Sequence, residues 1–120
     1  LPASGIGHAF KASSGNANSV AIDSTGKIVI YSGTTVTTTL APSLDKLHVI
    51  SVAFDGAATR VRLDGVEQVV GTGTTYGVEA YFFQGANSKG SLAWGRVYDT
   101  VLSSAQLATI EADLAAFYGI

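Results

Sequence analysis

The 120-residue chain has no cysteine, no methionine and only one tryptophan, and just 13% of its residues are charged. Without cysteine there can be no disulfide staple, no thiol nucleophile and no thiolate metal site. The missing cysteine fits an oxidising compartment without requiring one. No stretch approaches the roughly eighteen apolar residues of a membrane-spanning helix. Leu1-Pro2-Ala3-Ser4-Gly5 lacks the basic and apolar regions of a secretory leader. The few Lys and Arg residues are scattered singly, and a net charge of −2 with a pI near 5.5 gives no basic field. Nucleic acid and membrane insertion are therefore not expected. Methionine is missing even at position 1, so the chain is expected to be a processed or partial piece of a longer polypeptide.

What remains is apolar and small. Hydrophobic residues make up 47%, with fourteen glycines and many Ser, Thr and Ala. That is too apolar for a disordered segment and too uncharged for a typical helical cytosolic protein. The length suits one domain, 1–120, with a single modest core.

Short β-type segments punctuated by turns fill most of the chain. Residues 1–18 read as a loop-rich start holding one short strand at His8–Ala12. Ser19–Asp23 and Lys27–Tyr31 are two strands joined by Asp23-Ser24-Thr25-Gly26, where Asp opens the turn and Gly supplies positive φ. Thr34–Thr39 is β-branched with little core content, which predicts an edge strand. Leu47–Phe54 alternates, with His48, Ile50, Val52 and Phe54 on one face, and Asp55-Gly56 ends it. Thr59–Leu63 puts Val61 and Leu63 inward and Arg60 and Arg62 outward. Asp64-Gly65 is a strong two-residue hairpin signal, with Val66–Val70 as the return strand. Ala80–Gln84 and Leu92–Tyr98 complete the set, the last feeding directly into a helix. This spacing predicts an antiparallel β-sandwich.

The helix spans 103–118 and has marked ends. Ser103 with Gln106 forms a capping box, and Leu102 can staple onto Leu107. Gly119 fits a left-handed C-cap. Leu107, Ile110, Leu114 and Phe117 or Tyr118 form one apolar stripe at helical spacing.

Two segments carry a family resemblance. The first is Leu47-His48-Val49-Ile50-Ser51-Val52-Ala53-Phe54-Asp55-Gly56 followed by Val61-Arg62-Leu63-Asp64-Gly65-Val66. The second is Val97-Tyr98-Asp99, Leu102-Ser103, Leu114-Ala115 and Tyr118-Gly119. In this order they resemble the core and closing segment of concanavalin A-like (laminin G-like) jelly-roll domains of phage and bacterial surface proteins. Leu47 stands where an aromatic residue is usual. Trp94 and Arg96 replace residues that are more often acidic and aliphatic. The resemblance implies an all-β jelly-roll sandwich closed by one C-terminal helix and lacking N-terminal strands of its relatives. It implies a non-catalytic, glycan-binding or adhesive module at a virion or extracellular surface, whose partners are a surface glycan and other subunits of a larger assembly. The alternatives are a purely structural virion or fibre module and, less favoured, a glycoside hydrolase.

Sugars are bound by aromatic faces on their C–H patches and by polar groups on their hydroxyls. Tyr76, Tyr81, Gln84, Asn87, Lys89, Trp94 and Arg96 are the candidates for this work. A retaining glycosidase would need two carboxyl groups about 5–5.5 Å apart. The nine acids form no Glu-x-Asp-x-Glu run, and Asp23, Asp55 and Asp64 hold turn positions. No cofactor is expected. Asp55, Asp64 and Asp99, helped by Asn16 or Asn18, are weak Ca²⁺ donors without Asp-x-Asp spacing. His48 is expected to be packed or hydrogen-bonded, and neither it nor His8 lies in a Ser-centred nucleophile motif. Gly71–Gly77 and Asp23–Lys27 read as turns rather than phosphate loops.

Overall fold

A computed structural model describes residues 6–11, 18–44, 46–73, 81–82 and 93–120. The chain is mostly β, with two antiparallel sheets and one C-terminal helix. The larger sheet has the order β4-β3-β2-β1-β8, formed by β1 (Ile6–Lys11), β2 (Ser19–Asp23), β3 (Ile28–Tyr31), β4 (Thr35–Thr37) and β8 (Tyr81–Phe82). The smaller has β5 (Ile50–Ala53), β6 (Arg60–Leu63) and β7 (Val66–Val69) in sequence order. Helix α1 runs from Ser104 to Tyr118.

The turns form where their residue types allow. Asp23 accepts hydrogen bonds from the Thr25 amide (2.8 Å), the Thr25 hydroxyl (2.6 Å) and the Lys27 amide (3.0 Å), while Gly26 takes φ +85°. At the β6–β7 hairpin both Asp64 (φ +49°) and Gly65 (φ +85°) are left-handed, the geometry that Asp-Gly tolerates best. The helix ends as its sequence predicts. The Ser103 hydroxyl accepts from the Gln106 amide, the Gln106 side chain accepts from the Ser103 amide, and Gly119 closes the helix at φ +68°.

Period-2 alternation sends one face of each sheet into a shared core. Val20, Ile28 and Ile30 from the larger sheet pack with Val61 and Val70, and Val52, Phe54 and Leu63 lie against them. β4 lies at an edge, as its threonines suggest, with Thr35 and Thr37 exposed. Thr38, just beyond it, is fully buried, because its hydroxyl bonds the Ile28 carbonyl at 2.9 Å. At the rim of the two sheets, the Gln68 side-chain oxygen accepts from both the Thr39 amide and hydroxyl.

Several expectations need correction. The first strand begins at Ile6, two residues before the predicted start. The Leu47–Phe54 strand contracts to Ile50–Ala53. Ile50 pairs with Leu63, so Leu47 and His48 would have to pair beyond Asp64, where the partner chain is already turning. Arg62 points away from the core yet is 7% exposed, because the helix covers that outer face. The predicted Leu92–Tyr98 strand is absent from its described part, 93–98, which joins neither ladder. Of the two helix residues offered for the apolar stripe, Tyr118 is half-buried and Phe117 is 82% exposed.

Candidate functional site

Three arrangements bring polar or aromatic side chains together. The first lies on the outer face of the smaller sheet. Cross-strand register sets Ser51, Arg62 and Glu67 side by side. Arg62 donates through its Nε to one Glu111 oxygen (2.8 Å) and through Nη2 to the other (3.1 Å), a bidentate fork onto the helix. Its Nη1 reaches Glu67 at 2.8 Å, and Ser104 donates to that same Glu67 oxygen. Glu111 is 6% exposed. The hydrogen bonds that it donates to Glu111 and then to Glu67 hold the Arg62 guanidinium above its ordinary value despite burial. The bond from Arg62, followed by that from Ser104, holds the Glu67 carboxyl below its own. Arg60 extends the row, donating to the Ser104 hydroxyl (2.8 Å) and the Leu102 carbonyl (2.6 Å) at the start of the helix. Both glutamates are thus committed to Arg62, which suits a fastening of helix to sheet.

Between helix and hairpin lies a groove of about 580 Å³. Leu47, Val49, Ala108, Ala112 and Ala115 line its apolar part, with Lys46 and Asp64 beside them.

The second arrangement is a row of three groups. The Ser43 hydroxyl sits 3.0 Å from Nε2 of His48, whose Nδ1 is 2.6 Å from the Asp64 carboxylate. The other Asp64 oxygen accepts from the Val49 amide at 2.9 Å. Burial pushes the Asp64 carboxyl up, but the bonds from His48 and the Val49 amide outweigh it and leave it below its ordinary value. With Asp64 ionised, Nδ1 carries the proton it donates. No Ser-centred sequence motif marks this contact, and Ser43 reaches His48 in space instead. The order hydroxyl–imidazole–carboxylate is that of an acyl-transfer triad. Here, however, Nε2 also lies 3.0 Å from the Ser43 carbonyl, so the same residue offers it both an acceptor and a hydroxyl. The row ties Ser43, His48 and Val49 to the hairpin turn, and His48, although outside the shortened strand, is packed and hydrogen-bonded as expected.

The third arrangement lies on the segment leading into the helix. Trp94 is 44% exposed and Arg96 is exposed. The Arg96 guanidinium carbon stands 4.9 Å from the centroid of the half-buried Tyr98 ring. The segment is tied to the end of the helix by Tyr118, whose hydroxyl donates to the Ala93 carbonyl at 3.3 Å. Trp94, Arg96 and Tyr98 thus form an alternating aromatic–cation–aromatic series on one anchored stretch.

Of the predicted ligand-binding residues, only Trp94 and Arg96 have described side chains. Tyr76, Gln84, Asn87 and Lys89 lie outside the described residues. Tyr81 is placed by backbone alone, opposite Lys11. The weak cation donors are dispersed. Asp55 precedes a 3₁₀ turn, Gly56–Ala58, without a side-chain cap bond, Asp64 is engaged by His48, and Asp99 is exposed. Asn18 is buried and accepts from the Ser32 hydroxyl, whereas Asn16 lies outside the described residues. Among the described residues no three His, Cys, Asp or Glu side chains gather into a metal-binding group. Sequence inspection missed Tyr98 as a partner for Arg96, although their i, i+2 spacing was visible.

Comparison with known proteins adds no assignment: no family model, curated protein or solved structure matches the chain.

Proposed function

We propose that the chain is a non-catalytic, glycan-binding module of concanavalin A-like jelly-roll type, belonging to a virion or an extracellular surface. The two face-to-face antiparallel sheets, the Asp64-Gly65 hairpin and the capped closing helix suit that fold. The observation that carries the functional part is the exposed Trp94 two residues before Arg96, whose guanidinium lies over the Tyr98 ring. A partly exposed indole offers an apolar aromatic surface, and a sugar ring offers the matching C–H patch. Glu67 and Glu111, both held by Arg62, are poorly placed to act as an acid–base pair, which weighs against the glycosidase alternative.

Trp94 is the chain's only tryptophan, so its fluorescence reports this site alone. Titration with surface polysaccharides and their oligosaccharides should give a saturable change in emission. Calorimetry should show that binding is lost in Trp94→Ala, with far-ultraviolet circular dichroism unchanged. No binding of any saccharide at about millimolar concentration, a free energy of roughly −4 kcal/mol, would overturn the proposal.

A second reading is a structural module that attaches to other subunits. It is favoured by Val66 and Val69, 61% and 62% exposed on β7 at one edge of the smaller sheet. Sedimentation as a monodisperse monomer at high concentration would count heavily against it.

A further inference from the structure

We infer that the Trp94–Arg96–Tyr98 surface selects carboxylate-bearing sugars, uronic or sialic acid residues, over neutral ones; this rests on the glycan-binding proposal above and narrows its ligand. Arg96 is exposed, yet its guanidinium lies over the Tyr98 ring. Tyr98 is half-buried, and the start of the segment is tied to the end of the helix by the Tyr118–Ala93 bond. The stacked cation is thereby partly ordered before any ligand arrives, which reduces the entropy lost on binding.

Arg96 also differs from the other two arginines of the hairpin region. Arg62 gives its donors to Glu67, Glu111 and the Gly65 carbonyl, and Arg60 gives its two Nη groups to Ser104 and Leu102 while its Nε is buried without a partner among the described residues. Arg96 has no carboxylate partner among the described residues. The Arg96 guanidinium carbon lies 4.9 Å from the Tyr98 ring centroid, and a guanidinium that no carboxylate engages can meet one in two parallel hydrogen bonds. A hydroxyl accepts only one such bond and carries no charge. Trp94, two residues away on the same stretch, offers the stacking face for the ring that bears the carboxylate. With a net charge of −2 the protein supplies no general attraction for polyanions, so acid selectivity would have to come from this local cation.

The test compares a uronic acid oligosaccharide with its carboxyl-reduced counterpart, which has the same rings and linkages without the charge. A charge-assisted pair at a partly exposed site predicts about threefold to tenfold tighter binding of the acid form. Raising the salt concentration should shrink that preference. Arg96→Gln should abolish it and leave the weaker, Trp94-dependent binding of the neutral form intact. Equal binding of both forms, with Arg96→Gln silent, would overturn the acid selectivity and leave glycan binding standing. No binding of either form by the intact protein would overturn both. A preference that persists in Arg96→Gln would place acid recognition elsewhere and refute the role of Arg96.

Discussion

Removing the Glu111 carboxylate is the most searching perturbation of the fold. In Glu111→Ala, Arg62 loses the partner of its Nε and of one Nη2 bond while staying beneath the helix. Breaking a buried ion pair costs about 3–5 kcal/mol, because the remaining charge is left desolvated. Glu67 still holds Nη1 at 2.8 Å, which moves the expectation to the low end, about 3 kcal/mol. That is a large part of the 5–15 kcal/mol typical of small domains and corresponds to a Tm lower by roughly 10–15 °C. Urea unfolding followed by circular dichroism and Trp94 fluorescence would measure it, with coincident transitions establishing two-state behaviour. The companion variant is Arg62→Met/Glu111→Leu. Replacing both charges with apolar groups should recover stability to within about 1 kcal/mol of the parent, or exceed it. A loss below about 1 kcal/mol in Glu111→Ala would mean that water reaches the pair and the helix is no true cover. A double variant as unstable as the single one would show that the lost charge was not the cause.

Two further outcomes follow from the hairpin and the cap. Asp64 has a folded-state pKa below its ordinary value, so its contribution is fully present above that value and is lost as pH falls through the folded one. The stability gap between the parent and Asp64→Asn, which keeps a residue tolerant of the left-handed turn, should close as the pH falls below about 4. A gap that widens on acidification would contradict the assigned bonds from His48 and Val49. Ser103→Ala removes the acceptor for the Gln106 amide and should cost about 1 kcal/mol in thermal unfolding. An unchanged Tm would show that the capping box carries no weight.

Local chemistry was legible and long-range chemistry was not. Asp64-Gly65 and Ser103…Gln106…Gly119 specify their backbone within a few residues, and the structure forms both. Arg60 and Arg62 could be assigned to the outward face from alternation. The burial of Arg62 could not, because its cover arrives with Glu111, 49 residues later. The Ser43–His48–Asp64 row is hidden for a similar reason, since a gap of 16 residues and a turn separate imidazole from carboxylate. The strand that began at Leu47 on paper is shortened by its neighbour. Alternation in one segment says nothing about where the opposing chain turns away. The Leu92–Tyr98 segment has strand-forming residues, but its described part, 93–98, finds no ladder partner, and propensity without pairing makes no strand.

The polar fastening of the helix sets how the molecule comes apart. Only Leu107 among the helix's apolar residues is fully buried, and the strongest attachments are the charged bonds from Arg60 and Arg62. Such bonds are directional, so a small slippage of the helix along its axis forfeits them together instead of trading one contact for another. Helix α1 should therefore be among the first elements to open locally, before the two-sheet core does. Its amides should exchange with solvent deuterium at a lower opening energy than those of β2, β3 and β6. Because Tyr118 rides on that helix and bonds Ala93, each opening also frees the stretch that carries Trp94.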